Sequence, residues 1–346
     1  MTNGFSKRPV LLGYVNTKDL AIVSEEDIRA LDGINIAFAH VINDACVWQS
    51  DGAKEAMARI RTINPELKFI LSVGGWSAGG FSEAASTKEG RLTFARSAAK
   101  LALDFDLDGI DIDWEYPSIS MAGIKADLAD KENFTLYLQA IRDELDLLPG
   151  RRRILSIAAG GDAYFCRNTE MDKVAKILDY VQIMTYDLRG GYTHATGHHT
   201  NMETPRVDYY DVSVRTGVEA FVKAGVPKEK IIIGSAFYAR TWRGVPNVDN
   251  GYLQYAETVG TGGPSYDELV DEYIDKNGYI RHWDESAKAP WLFNGDTFMS
   301  YDDPMSLSYK VSYLKEEGLL GIMYWEYGHT KKHSLTQVIR DLFENT

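Results

Sequence analysis

The sequence predicts an α/β protein folded as a (β/α)8 TIM barrel, with a small α+β insertion between strands seven and eight. Three observations indicate this fold. Eight short apolar runs recur along the chain, and helical patterns lie between them. The 346 residues are enough for one large barrel domain. The connection before the last run is far longer than the others, and a structureless loop of that length is uncommon in a compact domain.

The spacing of apolar residues assigns the individual elements. The predicted strands are residues 10–15, 34–41, 68–73, 109–113, 154–159, 181–185, 231–236 and 321–325. Predicted helices include residues 89–105, 131–148, 207–224, 304–317 and 334–343. The helix at 131–148 has apolar residues near helical spacing at Phe134, Leu136, Leu138, Ile141, Leu145 and Leu148. Gly225 and Pro227 are expected to end the helix before strand seven.

The long connection sets the predicted domain boundaries. Residues 1–241 and 299–346 form the barrel, and residues 242–298 form the insertion, which is expected to stand beside the C-terminal mouth. This segment is rich in glycine, tyrosine and tryptophan. Two interpretations of Trp242, Trp283 and Trp291 stay open: they stack on sugar rings, or they form the core of the insertion.

The most informative segment is residues 108–117, which reads DGIDIDWEYP. On a strand, alternate side chains share a face, so Asp111, Asp113 and Glu115 would project together. The opposite face would carry Ile110, Ile112 and Trp114 and pack against helices. Crowded carboxylates repel, and one of them should therefore keep its proton near neutral pH. A carboxyl group in that state is a general acid.

The acidic run allows two other interpretations, a solvated surface and a metal site. A solvated surface would not need two isoleucines and a tryptophan on the opposite face. A Ca²⁺ or Mg²⁺ site is possible because these ions take oxygen ligands, but a rigid strand distributes ligands poorly around an ion. Catalysis is therefore favoured. In a TIM barrel, active residues lie at the C-terminal ends of strands, and Glu115 follows strand four.

Composition narrows the class of protein. The 45% hydrophobic and 25% charged fractions are typical of a soluble globular protein, and the net charge of −13 argues against nucleic acid as a partner. Cys46 and Cys166 lack metal or disulfide spacing and are expected to be core thiols.

No apolar stretch is long enough to span a membrane. The N-terminus shows no signal region, so the compartment stays open: secreted if a signal was removed, otherwise cytoplasmic.

Two further motifs suggest other sites. The glycine-rich residues 74–80 lack the spacing of a phosphate-binding loop, so a tight turn that places Trp76 near a cleft is preferred. His194, His198 and His199 follow strand six without clear ligand spacing. A cleft wall is expected there instead of a metal site.

Five motifs together resemble family 18 glycoside hydrolases, the chitinase family. Residues 108–117 resemble its DxxDxDxE signature, and residues 72–76, SVGGW, resemble its SxGG motif. The others are QIMTYD at 182–187, FYAR at 237–240 and GIMYW at 321–325. They follow the family's order and span nearly the whole chain. The connection before strand eight also resembles the α+β insertion of chitinases with deep clefts.

The resemblance implies a role for each site residue. Glu115 would protonate the glycosidic oxygen, Asp113 would hold the substrate's acetamido N–H, and Asp111 would share a proton with Asp113. Tyr186 would orient the acetamido oxygen, and Asp187 would bind a sugar hydroxyl or the acetamide. The residues expected to bind or shape the substrate site are Trp325, Met184, Tyr238, Arg240, Trp76 and Tyr116. Asp108 is expected to be structural.

The implied activity is hydrolysis of β-1,4 bonds in chitin or N-acetylglucosamine oligosaccharides, with retention, through an oxazolinium intermediate and without a cofactor or metal. A monomer is expected, with no nucleic-acid or membrane partner. Two alternatives stay open. One is an endo-β-N-acetylglucosaminidase that cuts the chitobiose core of N-glycans. The other is a lectin-like chitin-binding protein, which the presence of Glu115 disfavours.

Overall fold

The computed structural model describes Phe5 and residues 9–345. The N-terminal segment, in which no signal region was found, therefore lies almost entirely outside the described residues. Among those described, no helix is both long and apolar enough to cross a membrane.

Fourteen strands are found in the described part of the chain. They are β1 (Val10–Asn16), β2 (Gly33–Ile42), β3 (Ala45–Val47), β4 (Lys68–Gly74), β5 (Gly109–Asp113), β6 (Ile154–Gly160), β7 (Tyr180–Met184), β8 (Ile231–Ala236), β9 (Tyr238–Trp242), β10 (Thr261–Ser265), β11 (Ile280–Asp284), β12 (Ala289–Phe293), β13 (Phe298–Ser300) and β14 (Gly321–Trp325). Eight of them, β1, β2, β4 to β8 and β14, pair in parallel, and β1 closes the barrel by pairing with both β2 and β14. The predicted (β/α)8 barrel is confirmed.

Helices cover the outside of the barrel. They are α1 (Glu25–Ala30), α2 (Ala53–Ile63), α3 (Phe81–Ser86), α4 (Lys88–Asp104), α5 (Asp130–Asp146), α6 (Ala163–Arg167), α7 (Met171–Ile177), α8 (Val214–Lys223), α9 (Tyr266–Glu268), α10 (Pro304–Glu316) and α11 (Leu335–Asn345). Single turns of 3-10 helix occur at Lys228–Lys230, Asp249–Gly251 and Tyr327–His329, a longer one at Thr17–Ile22, and a π turn at Leu269–Tyr273.

One predicted helix boundary is wrong. The helix expected at 207–224 begins only at Val214, because Ser213 caps it: the Ser213 hydroxyl accepts from the Thr216 N–H, and the Thr216 hydroxyl accepts from the Ser213 N–H. This reciprocal pair fixes the first turn. The residues before it run irregularly, and Asp208 there pairs with the buried Arg189 at 2.5 Å.

Strand side chains alternate between two apolar clusters. Val10, Leu12 and Tyr14 point into the barrel, whereas Leu11 and Val15 pack toward the helices. Burial on both faces explains the nearly continuous apolar sequence of strands such as β8. Asp108, just before β5, accepts the Phe69 N–H at 3.0 Å and ties β5 to β4 at the bottom of the barrel, a structural role.

The connection between β8 and β14 contains a second sheet. Its five antiparallel strands have the order β10-β9-β13-β12-β11. Trp242 and Trp291 are buried in this sheet's own apolar cluster, while Trp283 stacks on Tyr309 of α10 at 5.9 Å. Two of the three tryptophans therefore belong to a core. We propose an insertion that runs from Tyr238 to Ser300, slightly longer than the predicted 242–298.

A buried ion pair joins the segment that follows β13 to helix α10 of the barrel. Asp302 and Lys310 lie 2.6 Å apart (Oδ2 to Nζ), and both side chains are fully buried. The same Asp302 oxygen accepts from Ser235 at the end of β8 and from Thr200 in the loop after β7. One carboxylate thus fastens α10, β8 and that loop.

Lys310→Met should therefore strongly destabilise the fold. It leaves Asp302 as a buried carboxylate without its cation, which costs about 3–5 kcal/mol. Urea unfolding followed by circular dichroism measures the change. Lys125→Met, at an exposed position, is the matched control and should unfold at the wild-type urea concentration. Equal midpoints for the two variants would contradict the role given to the buried pair.

Candidate active site

The three carboxyl groups of the acidic run lie together at the C-terminal end of β5. Asp111 is fully buried, Asp113 is 4% exposed and Glu115 is 8% exposed. Strand β5 ends at Asp113, so Glu115 lies just above the barrel mouth. Gly74 allows this geometry: its φ is +122°, and a Cβ there would lie 2.0 Å from the Asp113 carbonyl oxygen.

Asp111 lies deepest and is surrounded by hydrogen-bond donors. Its Oδ2 accepts from Tyr14 at 2.9 Å and Ser72 at 2.8 Å. Its Oδ1 accepts from Ser156 at 2.7 Å and Gln182 at 3.0 Å. Burial raises the pKa of Asp111, and these four hydrogen bonds oppose that rise. All four lone-pair positions of the carboxylate are thereby used.

Asp113 is buried without equivalent support. Its Oδ1 has no hydrogen-bond partner among the described residues. Burial, and then the charges of Glu115 and Asp111, raise its pKa well above the ordinary range. The proton shared between Asp111 and Asp113 stays a prediction; burial and the two neighbouring charges favour the neutral form of Asp113.

Glu115 has the properties of a general acid. Burial raises its pKa to about 7; a hydrogen bond from Tyr116 opposes the rise, and the charge of Asp187 adds to it. Tyr116 itself packs edge-on against Phe165 at 6.0 Å, which fixes the ring beside the acid. A group with this pKa is protonated in part at neutral pH and ready to give up its proton.

Tyr186 and Met184 line the pocket from the end of β7. Burial and the nearby carboxylates raise the pKa of Tyr186, so its hydroxyl stays protonated and can donate. In this structure that hydroxyl lies 3.9 Å from the Met323 sulfur. Met184 is buried in the same cluster as Tyr186.

Asp187 is clamped between two basic side chains. Arg240, on β9, binds both of its carboxylate oxygens, with the Nε donating to Oδ1 at 2.6 Å, and the His199 Nδ1 lies 3.4 Å from the same Oδ1. Burial raises the pKa of Asp187, but these contacts outweigh it and hold the pKa well below the usual range. Tyr238 lies between His199 and Tyr186, with ring centroids 5.5 and 6.3 Å away.

Aromatic rings form the floor and rim of the cleft. Trp325 stacks on Phe38 at 5.4 Å and contacts Tyr14 at 5.6 Å, so its indole is held rigidly at the end of β14. Trp76, after β4, is 53% exposed at the mouth. The structure therefore brings all eleven predicted site residues to one end of the barrel.

The three histidines contact different parts of the structure, and the cleft wall expected there stays a prediction. His194 stacks on the exposed ring of Tyr255, His198 pairs with Asp284 of the second sheet at 3.2 Å, and His199 is fully buried against Asp187. No group of three or more metal-binding side chains occurs within the described ranges.

Several residues at the site or directly behind it are not among the eleven predicted site residues. These are Tyr14, Asn35, Ser72, Ser156, Gln182 and His199. A signal was present for two of them. Asn35 and Gln182 are lone amides at buried positions of otherwise apolar strands. Such residues need partners, since an unpaired buried amide is costly.

The sequence and the fold of this chain match those of known proteins. The family model for glycosyl hydrolases family 18 matches residues 11–329. Chitinase A1 of Niallia circulans is 37% identical over 302 residues, which are 82% of this chain and 43% of that protein. Chitotriosidase-1 of Mus musculus is 32% identical, covering 82% of this chain and 61% of its own length. The chain thus spans 43% and 61% of the length of these two relatives.

Two solved structures are also similar. A family 18 N-acetylglucosaminidase from Paenibacillus barengoltzii superposes with a TM-score of 0.95 at 48% identity, covering 97% of this chain and all of the other. The chitinase ChiW of Paenibacillus sp. FPU-7 gives 0.91 at 36% identity, covering 96% of this chain and 42% of its own.

The titration of Glu115 tests the geometry directly. Its carboxyl carbon should titrate with a midpoint near pH 7 in a ¹³C NMR experiment on glutamate-labelled protein, since burial disfavours the charged form. The resonance is assigned by its loss in Glu115→Gln. A midpoint near 4.5, the ordinary value for glutamate, would mean that the site does not perturb this acid.

Proposed function

Because the chain belongs to glycosyl hydrolase family 18, we propose that it is a chitinase that cleaves β-1,4 bonds between N-acetylglucosamine units with retention. The observation that carries this proposal is the carboxyl arrangement on β5. A protonated Glu115 lies above Asp113, which has an unpaired oxygen, and above Asp111, whose acceptor positions are all filled. Such an arrangement supplies an acid and a hydrogen-bond acceptor but no nucleophile placed across the sugar.

In the proposed first step, the acetamido carbonyl oxygen of the substrate bonds to the anomeric carbon. The glycosidic C–O bond breaks, and Glu115 transfers its proton to the leaving oxygen. The product is an oxazolinium ion. The unpaired Asp113 Oδ1 can accept the acetamido N–H and stabilise the positive charge that develops there.

In the second step, water opens the oxazolinium ion. Glu115, now a carboxylate, takes a proton from the attacking water, and the hydroxyl adds to the face from which the leaving group departed. The configuration is retained, the acetamide is restored, and Glu115 is protonated again for the next cycle.

The surrounding residues are proposed to orient the substrate. The neutral Tyr186 hydroxyl can donate to the acetamido oxygen, and the indole of Trp325 offers a flat apolar surface to the sugar ring. Asp187, fixed by Arg240 and His199, would bind a sugar hydroxyl or the acetamide. Orientation of this kind contributes through proximity, which is worth several kcal/mol.

A second candidate function is release of single N-acetylglucosamine units. The similar Paenibacillus barengoltzii protein, 48% identical along almost the whole chain, is named an N-acetylglucosaminidase. The same carboxyl chemistry serves either activity. What differs is how many sugars the cleft binds on each side of the cleaved bond.

Glu115→Gln should nearly abolish cleavage of an aryl chitobioside. Loss of a general acid reduces turnover by about 10² to 10⁴-fold, while the amide keeps the shape of the carboxyl group. Release of the aryl group measures turnover, and calorimetry with a chitin oligomer should give wild-type affinity. Glu132→Gln, at an exposed position on α5, is the control and should keep full activity. Near-normal turnover by Glu115→Gln would refute the assignment of the acid.

A substrate series separates the candidates. A chitinase should release the aryl group from the chitobioside or chitotrioside much faster than from aryl N-acetylglucosaminide. Preference for the monosaccharide would favour the second candidate instead. An N-glycan chitobiose core cleaved in preference to all three would support the N-glycan alternative, and binding of oligomers without any cleavage would support a lectin-like protein.

A further inference from the structure

Two buried amides cross the barrel interior directly behind Asp111. Gln182, on β7, donates from its single Nε2 to Asp111 Oδ1 at 3.0 Å and to the Tyr14 hydroxyl at 3.1 Å. Asn35, on β2, donates to the Gln182 Oε1 at 2.7 Å. Both amides are fully buried, so neither is expected to contact a sugar that is bound above the barrel mouth.

Gln182 differs in kind from the other partners of Asp111. Tyr14, Ser72 and Ser156 are hydroxyls, which can turn and become acceptors if Asp111 takes up a proton. An amide nitrogen can only donate. It also donates to the Tyr14 oxygen, so the proton of that hydroxyl must point to Asp111. Gln182 is therefore one of the four donors to Asp111, and it also sets the direction of a second one, the Tyr14 hydroxyl.

The direction of the Gln182 amide is set by Asp111 and supported by Asn35. If the amide were turned over, its oxygen would face Asp111 Oδ1 at 3.0 Å, where two acceptors repel. The same rotation would place the Gln182 nitrogen against the Asn35 nitrogen, two donors 2.7 Å apart. Asn35 thus acts on Asp111 only through Gln182.

From this geometry we propose that Gln182 and Asn35 are positioning residues that keep Asp111 ionised, so that the catalytic proton stays with Asp113 and Glu115. The inference rests on the proposed function and deepens it. A neutral amide suits this task better than a cation would. A buried lysine or arginine would also attract negative charge onto Asp113 and strip its proton, whereas an aimed N–H acts mainly on the oxygen it contacts.

The other groups around Asp111 do not replace Gln182. The titratable side chains that face it are Asp113 from its own strand, Tyr14 from β1, and Tyr180 and Tyr186 from β7 and its end. Burial raises the pKa of all three tyrosines, so they remain neutral. The ion pairs found among the described residues do not include Asp111. Neutral donors alone support its charge.

Gln182→Met tests the proposal, because methionine has a similar length but no donor. The pKa of Asp111 should rise when a donor to its charged form is lost. The acid limb of the kcat profile, measured on the aryl chitobioside, should then move to higher pH by about one unit. The KM should change less than twofold, since Gln182 does not touch the substrate. Asn35→Leu should give a smaller shift in the same direction.

A double variant and a matched control separate positioning from packing. Asn35→Leu should add no further shift in the Gln182→Met background, because its effect passes through Gln182. Ile232→Val is the control: Ile232 is the register partner of Gln182 on β8 and is equally buried. It should lower the melting temperature without moving the pH profile.

Two results would overturn the inference. One is a Gln182→Met variant with a wild-type pH profile and a melting temperature lowered as in the control. The other is a full additional shift in the double variant. If the wild type cleaves no N-acetylglucosaminide, the proposed function fails, but the inference stays testable. The Asp111 carboxyl carbon, assigned in ¹³C-labelled protein with Asp111→Asn, should still titrate at higher pH in Gln182→Met.

Discussion

The buried carboxyl group of Asp111 is the constraint on which the site depends. A carboxylate in a barrel interior is unstable unless its oxygens are hydrogen-bonded. Here the donors come from four other strands: Tyr14 from β1, Ser72 from β4, Ser156 from β6 and Gln182 from β7. Closing the sheet into a barrel is what brings these strands around one point. Burial, the charge of Glu115 and then the charge of Asp111 raise the pKa of Asp113.

The carboxyl groups above Asp111 follow from the period of the strand. Alternate residues point the same way, so Asp113 comes next on the inner face, and Glu115 emerges at the mouth beyond the last strand residue. Hydrogen-bond support falls along this row: Asp111 has four donors, whereas one oxygen of Asp113 has no partner among the described residues. One strand thereby holds three carboxyl groups in different surroundings, the last of them an acid with a pKa of about 7.

How far the sequence predicts this molecule depends on the range of the interactions. The bounds of β5, β8 and β14 are predicted to the residue, because an apolar run and its flanking turn are local features. The start of α8 is missed because the Ser213 cap competes with the apolar pattern before it. The catalytic residues are found through local motifs. Asn35, Ser156 and His199 are not, since their partners lie 147, 45 and 12 residues away along the chain.

The second sheet also contributes residues to the site. Its strand β9 follows β8 after one residue and carries both Tyr238 and Arg240. Arg240 binds both oxygens of Asp187, and Asp302, which follows β13 of the same sheet, pairs with Lys310 of α10. Asp187 also contributes to the raised pKa of Glu115. A shift of this sheet would therefore move Arg240 and change the charge balance at Asp187. The pKa of Glu115 would change in turn.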